Sequence, residues 1–224
     1  MKVLFLSQIV PYPPHGGVLQ RGYNLIREIG KYNETHLLAF VHPDILGTPD
    51  LIEDSRKVLE RHCVSVQYFS LWPKRSTVHK LAAFGAGFLY PQPFSVLAHR
   101  SGSYAQAVRR LVAANAVDLL HVDTIGLAPY RKLVPALPCV LTHHNIESQL
   151  MARRAQVETA PLHKLYVGLQ AQRLRAYEAG QSPLFDMNIV MSPNDADELR
   201  GIAPSVATAI VPNGVDPAYF TPWM

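Results

Sequence analysis

The sequence predicts an α/β fold in which a mostly parallel sheet of about seven strands is doubly wound, with helices on both faces. Short segments rich in β-branched and apolar residues alternate with segments whose apolar residues recur at helical spacing. Nearly continuous apolar strands are typical of parallel sheets that are buried on both faces. We therefore expect a single domain over residues 1–211.

Strands and helices follow one another along the chain without an internal repeat. We predict strands at residues 2–10, 35–42, 64–71, 119–123, 139–143, 187–192 and 207–211. The first helix carries its apolar face on Leu19, Tyr23, Ile26 and Ile29. We predict further helices at residues 50–61, 76–90, 101–115, 127–133, 162–180 and 195–200.

Composition and charge exclude several classes of protein. Apolar residues make up 48% of the 224 residues and charged residues 17%, which predicts a sizeable core rather than disorder. The net charge of +4 is far from the dense basic stripe of a nucleic-acid-binding protein, so we expect no nucleic-acid partner. Ordinary solvated charge accounts for this bias, although an acidic ligand or an anionic membrane surface would also suit it.

Cysteine usage and hydropathy point to a cytoplasmic location. Cys63 and Cys139 form neither a disulfide framework nor a metal quartet, and we expect both to be buried thiols. No apolar run reaches the roughly 18 residues that span a bilayer, so the protein is soluble or at most peripheral. The segment 72–75, followed by Val78, Leu81, Phe84 and Phe88, predicts a helix that packs on the sheet; contact with an anionic membrane is the alternative.

Ligands of open parallel sheets bind beyond the carboxyl ends of the strands. The first such loop contains Gly16 and Gly17, which open a helix and let backbone N–H groups approach a phosphate. The loop lacks the G-x-G-x-x-G spacing of dinucleotide binders, so we do not expect NAD. A plain turn is the alternative interpretation.

The loop after the fifth strand holds a polar cluster that includes His143, His144 and Asn145. Adjacent side chains of an extended chain point in opposite directions, so one of the two histidines faces the cleft. Such a histidine binds a hydroxyl, binds a metal or moves a proton, and a histidine satisfied within the core is the alternative. No further Cys/His set at zinc spacing accompanies the pair, and we expect no metal.

Three more polar residues lie at or near the strand ends. Asp123 ends the fourth strand and either binds a hydroxyl or caps the next helix. Ser192 ends the sixth strand and is a candidate ligand contact, with Asn194 or Asp195 as the expected helix cap. Glu178, late in the long helix, is expected to be solvated.

Taken together, these segments resemble the N-terminal half of retaining GT-B glycosyltransferases of the large bacterial group 1, or family 4. The opening strand with Gly16 and Gly17 is similar to that family's first strand and Gly-Gly loop. In the segment 138–145, His144 takes the position of the active-site histidine. Glu178 and residues 186–192 resemble the family's helix and following strand, and residues 211–216 with Phe220 and Pro222 resemble its interdomain crossing.

The resemblance implies a Rossmann-like acceptor-side domain that transfers a sugar from a nucleotide-diphosphate donor to a glycan or lipid-linked acceptor with retention. Gly16 and Gly17 would lie near the diphosphate. His144 would hold the transferred sugar, and Asp123, Asn145 and Ser192 are candidates for acceptor contacts. No metal or other cofactor is implied, and a role in polysaccharide biosynthesis is a family-level expectation.

The same resemblance makes residues 212–224 the start of a linker to a donor-binding domain. The chain on its own is then expected to fold but to transfer nothing, because half of a cleft does not align two substrates. Two other functions stay open at this point. One is a nucleotide-sugar epimerase of the same paired architecture, and the other is a stand-alone domain that binds a glycan or a lipid carrier.

Overall fold

The computed structural model describes residues 1–71, 77–114 and 116–214, except for the side chains of residues 77–81 and 83. The described strands form one seven-stranded sheet, and every neighbouring pair is parallel. The strand order is β3-β2-β1-β4-β5-β6-β7. The bounds are β1 Lys2–Ser7, β2 Glu34–Val41, β3 Ser65–Ser70, β4 Leu119–Val122, β5 Cys139–Thr142, β6 Met187–Val190 and β7 Thr208–Ile210.

Eight α-helices connect the described strands. They are α1 Gly17–Gly30, α2 Pro49–Leu59, α3 Thr77–Leu89, α4 Phe94–Ala98, α5 Gly102–Ala113, α6 Glu147–Val157, α7 Pro161–Gln181 and α8 Pro193–Ile202. Two 3₁₀ segments cover Ile125–Leu133 and Ser182–Leu184. The helix predicted at residues 127–133 is the first of these segments, with Pro129 inside it.

The sequence analysis did not predict two of the helices, α4 and α6. In α6, Ser148 is the one fully buried residue, so its sequence lacks a wide apolar stripe at helical spacing. Helix α4 has five residues, too few to show a period.

Several of the predicted strands extend beyond the carboxyl ends of the observed strands. The first strand stops at Ser7, whose hydroxyl donates a hydrogen bond of 2.6 Å to the Ile9 carbonyl across a bend in the chain.

The sheet is doubly wound, as predicted, and alternate residues of its strands enter two different cores. Leu4, Leu6 and Leu38 pack on one face with Tyr104 of α5. Phe5 and its neighbours on β2 pack on the other face, against α1 and α2. A smaller cluster joins β6 to α8 at the sheet edge. Cys63 and Cys139 are free and buried, as expected, and burial raises the pKa of the Cys63 thiol to about 12.

The order of the strands locates a crevice. The chain runs outward from β1 through β2 to β3 and then returns to place β4 on the other side of β1. Loops that leave β1 and β4 therefore depart in opposite directions, which opens a gap at their carboxyl ends. The gap lies beside the loop that follows β1 and the residues that follow Val122.

Helix α3 packs mainly on another helix rather than on the sheet, contrary to the prediction. Phe84 and Phe88 lie with ring centroids 4.6 and 5.1 Å from that of Tyr166 on α7. Residues 72–76 and the side chains of Val78 and Leu81 lie outside the described residues, and so does most of the predicted linker at 212–224. None of the helices described here has the length and hydropathy needed to cross a bilayer.

The substitution Gly30→Ala tests the packing of α1 against the chain after α2. A methyl group at Gly30 would overlap the backbone carbonyl of His62, which does not rotate away as a side chain does. We expect a loss of about 1–3 kcal/mol in the free energy of unfolding, measured by chemical denaturation. The control is Gly180→Ala in α7, where the added methyl meets open space and should stabilise the chain by up to about 1 kcal/mol. Equal effects would contradict the packing.

Candidate functional site

A cavity of about 650 Å³ opens at the crevice beside β1 and β4. Its walls come from loops at the carboxyl ends of the strands and from helices α1, α4, α6 and α7. Gly16 and Gly17 line it on one side, and Thr124 and Glu147 line it as well. The cavity therefore lies where the sequence predicted ligand binding.

Gly16 and Gly17 form the N-terminal end of α1. Gly16 is the residue before the helix and has φ of 93°, a conformation that other residues rarely adopt. No side chain caps this helix end. A Cβ atom added at either glycine would meet nothing within 4 Å, so the backbone is open to a ligand. The unpaired N–H groups and the positive end of the helix dipole suit an anion here.

His144 and Asp123 form a buried pair at the same edge of the sheet. His144 Nε2 lies 3.1 Å from Asp123 Oδ1, and the two side chains are 6% and 1% exposed. Because a carboxylate only accepts, Nε2 carries the hydrogen. Burial opposes the charged ring, but the attraction of Asp123 outweighs it and raises the pKa of His144.

The protonation of His144 determines what the site can do. In its charged form the ring donates one hydrogen bond to Asp123 and has Nδ1–H left for an oxygen of a ligand. Among the described residues, no hydrogen bond engages that Nδ1. His144 does not itself line the cavity, so the residues around it reach the ligand space first. Gly16, Gly17 and His144 nevertheless lie at the same edge of the sheet, beyond the carboxyl ends of the strands.

Arg21 is a site residue that sequence reasoning missed. Its guanidinium Nη1 donates 2.8 Å to Asn213 Oδ1, and Nη2 donates 3.0 Å to the Val211 carbonyl. The positive charge of Arg21 also acts on Asp123. The residue lies next to Gly22, a core position of α1 where a Cβ would come 3.8 Å from Asp123 Oδ2. The sequence did carry a signal for this residue, because Arg21 lies among the apolar positions of α1 and a buried arginine needs a partner.

Two carboxylates flank the start of α6. Glu147 is its first residue and lines the cavity; burial raises its pKa, and His144 works in the opposite direction. Glu178 was expected to be solvated, and this was wrong, because α6 and α7 pack together and leave its side chain fully buried. Glu178 Oε1 accepts the Ser148 N–H at 3.3 Å, so it caps α6, which has no side-chain cap of its own. Burial raises the pKa of Glu178 to about 7.

The second histidine of the pair has a structural role. His143 enters the core, where its Nε2 lies 3.0 Å from Asn188 Oδ1. That one of the two histidines faces the cleft stays a prediction, because neither His143 nor His144 lines the cavity. Burial lowers the pKa of His143 to about 4, which keeps the ring neutral. Asn188 also donates to the Ser182 carbonyl at 3.0 Å, so this network ties β5 to β6.

The remaining candidates occupy different positions. Asp123 does not cap the following 3₁₀ segment; Thr124 precedes that segment, and Asp123 is engaged with His144. Ser192 itself caps α8, in place of the expected Asn194 or Asp195, by accepting the Asp195 N–H at 3.2 Å. Asn145 is half-buried before α6, and neither Asn145 nor Ser192 lines the cavity. Within the described residues, no three His, Cys, Asp or Glu side chains meet as a metal site.

The fold is that of a Rossmann-like domain, and comparison with known proteins shows the family to which it belongs. The family model described as Glycosyltransferase Family 4 matches residues 51–219, and the chain belongs to that family. The match begins after the Gly16–Gly17 loop, so it is independent of that motif. None of the curated proteins compared with the chain matches it.

A solved structure shows the same fold. Sucrose-phosphate synthase from Thermosynechococcus elongatus superposes with a TM-score of 0.62 at 17% identity, over 100% of this chain and 51% of that protein. Anabaena HepE, solved in complex with UDP and glucose, gives a TM-score of 0.49 at 18% identity, over 97% of this chain and 46% of that one. The chain thus spans about half the length of these structures.

Replacing Asp123 with Asn tests the electrostatics of the pair. The amide keeps the shape of the side chain and removes its charge, so we expect the pKa of His144 to fall. Titration of the histidine ring signals by NMR measures this in the isolated chain. The matched control is Asp118→Asn at the opposite end of β4, where Asp118 accepts the Lys2 N–H and is exposed. If the pKa of His144 were the same in the Asp123 variant as in the native chain, an electrostatic interaction between the two side chains would be excluded.

The substitution Glu178→Gln tests the buried cap of α6. The native carboxyl keeps its proton up to about pH 7, whereas the unfolded chain loses it near 4.5, so native stability falls as pH rises between these values. Gln keeps the acceptor oxygen without titrating. We expect the stability of the variant relative to the native chain to increase by on the order of 3 kcal/mol from pH 4 to pH 8. Denaturation at both pH values measures it, and a constant difference would contradict a buried, protonated Glu178.

Proposed function

We propose that the chain forms the acceptor-side half of an enzyme that transfers a sugar from a nucleotide-diphosphate donor to an acceptor hydroxyl, with retention of configuration. The observation that carries the proposal is the buried Asp123–His144 pair at the edge of the sheet where the open helix end at Gly16 and Gly17 also lies. Membership of glycosyltransferase family 4 supports the class of reaction.

The diphosphate of the donor would lie at the start of α1. Negative charge grows on the leaving phosphate as the glycosidic bond breaks, and backbone N–H groups that are already oriented stabilise that charge without reorganising. Gly16 and Gly17 expose such groups because neither carries a Cβ. No metal or other cofactor is needed in this scheme, since the helix end supplies positive potential to the phosphates.

His144 would hold the transferred sugar. With Nε2–H committed to Asp123, a protonated ring offers Nδ1–H to a sugar hydroxyl, and this donor keeps a constant direction. Asp123 acts through His144 as a positioning residue, because its carboxylate is 1% exposed and faces the ring and Ser7. This role replaces the acceptor contact expected from the sequence. Asn145 and Ser192 are secondary candidates for acceptor contacts.

A second domain would complete the cleft. The chain covers about half of the structures it resembles, and Arg21 fastens residues 211–213, the segment expected to lead into the linker. We infer that the isolated chain transfers nothing, because donor and acceptor are aligned only when both halves are present. A cytoplasmic location, with the acceptor supplied by a polysaccharide pathway or at the inner face of a membrane, fits this role.

The test uses the full-length gene product with a panel of UDP- and GDP-sugars. We expect His144→Ala to lower kcat by about 100-fold or more, since it removes a donor aimed at the reacting sugar. The thermal midpoint should fall as well, because the variant leaves the buried carboxylate of Asp123 without its partner, so kcat is compared at a temperature at which both proteins are folded. The control is His163→Ala at the start of α7, whose side chain is 40% exposed and lies away from the cavity.

Two outcomes would overturn the proposal. Unaltered turnover in His144→Ala would remove that residue from the mechanism. Conversion of the nucleotide sugar into an isomer in the absence of any acceptor would identify an epimerase instead. Calorimetric titration of the isolated chain with UDP or GDP should show millimolar binding at best, whereas tight binding would mean that this half alone holds the donor.

A further inference from the structure

Most of the wall of the 650 Å³ cavity differs sharply from the open helix end at Gly16 and Gly17, which lines the cavity on one side. Large apolar side chains form most of its surface, including Leu71 after β3, Phe94 of α4, Met151 of α6, and Tyr166 and Leu174 of α7. The volume is that of a site for a ligand the size of a drug molecule. An apolar surface of this kind gains binding energy from hydrocarbon or aromatic groups and little from sugar hydroxyls.

The cavity is built by a hydrogen-bonded frame rather than left by loose packing. Gln170 of α7 is 3% exposed and uses both ends of its amide. Its Nε2 donates 2.7 Å to the Gly87 carbonyl of α3, and its Oε1 accepts the Phe94 N–H of α4 at 2.8 Å. Arg173, one turn later, donates to the Gly87 and Phe88 carbonyls. Helices α3 and α4 are therefore fastened to α7, and the bond from Phe94 to Gln170 fixes the spacing of the walls that α4 and α7 contribute.

The wall at the start of α6, unlike the helix end at Gly16 and Gly17, carries a charge that repels an anion. Glu147 lines the cavity together with three histidines, His15, His42 and His99, and of the lining residues the structure describes, none is Lys or Arg. No hydrogen bond or ion pair from the described part of the chain engages the Glu147 carboxylate. A carboxylate in an apolar wall repels a phosphate and accepts a hydrogen bond from a hydroxyl. His144 favours the charged form of Glu147 but does not itself line the cavity.

We propose that the acceptor of this enzyme is an uncharged alcohol with an apolar tail or ring system, whose hydroxyl binds Glu147 while its apolar part fills the space between α4, α6 and α7. This inference rests on the proposed function and adds the chemical class of the acceptor. Glu147 lies at the start of α6, three residues after His144, so a hydroxyl held there is next to the site proposed for the transferred sugar. An acceptor that is a free sugar, or that carries a phosphate in the space between α4, α6 and α7, fits these walls poorly.

The test is binding of simple probes to the 224-residue chain, measured by calorimetry below the concentration at which the probes form micelles. The probes are methyl β-D-glucoside, n-hexyl β-D-glucoside and n-hexyl phosphate. Each buried CH₂ group tightens binding by about fourfold, so we expect hexyl glucoside to bind at least tenfold more tightly than methyl glucoside. Hexyl phosphate should bind at least tenfold more weakly than hexyl glucoside. Equal binding of the two glucosides, or tighter binding of the phosphate, would overturn the proposal.

Two variants connect the binding to this cavity. Met151→Lys inserts a charge into the wall and should lower the affinity for hexyl glucoside at least tenfold. Leu150→Lys, on the neighbouring residue that is 39% exposed and does not line the cavity, should leave it unchanged. Glu147→Gln should raise the affinity for hexyl phosphate relative to hexyl glucoside, because it removes the repelling charge. Equal losses in both lysine variants, or an unchanged ratio in Glu147→Gln, would place the binding elsewhere.

The outcome is separable from that of the proposed function, because no nucleotide sugar takes part in these titrations. Sugar transfer by the full-length protein together with indifference to the hexyl group would refute the acceptor class alone. A clear preference for the hexyl group without sugar transfer would refute the transferase alone.

Discussion

The parallel arrangement of all seven strands is the constraint on which the rest of the molecule depends. Parallel strands bring every carboxyl end to the same edge of the sheet, and the return of the chain from β3 to β4 opens that edge next to β1. Gly16, Asp123 and His144 are far apart in the sequence and follow β1, β4 and β5. Their common location at this edge is thus a consequence of topology, and the contact between Asp123 and His144 follows from the pairing of β4 with β5.

Burial gives neighbouring polar residues different chemistry. His143 and His144 are adjacent in the chain, but His143 enters the core and pairs with an amide, whereas His144 pairs with a carboxylate. Desolvation keeps the first ring neutral, and the charge of Asp123 favours the protonated form of the second. The same distinction separates the carboxylates of Glu147, which faces the cavity, and Glu178, which is fully buried and caps α6.

The helices outside the sheet supply what the sheet alone lacks. Helices α6 and α7 pack along each other, and α7 also holds α3 and α4 through Gln170 and Arg173. Helices α4, α6 and α7 form much of the apolar wall, while the strand ends carry polar groups of the site. Arg21 links residues 211–213 to the site, because its guanidinium contacts that segment and its charge also acts on Asp123.

The sequence by itself determined the doubly wound sheet, the seven strands to within a few residues, and the loops of interest, because apolar periodicity and glycine placement are local properties. It also indicated that one histidine of the pair faces the core. Only the tertiary structure decided that Asp123 supports His144, that Glu178 is buried, and that Arg21, Glu147 and α6 belong to the site. Those features arise from contacts between residues distant in the chain, and no local pattern records the partner that a polar side chain will meet.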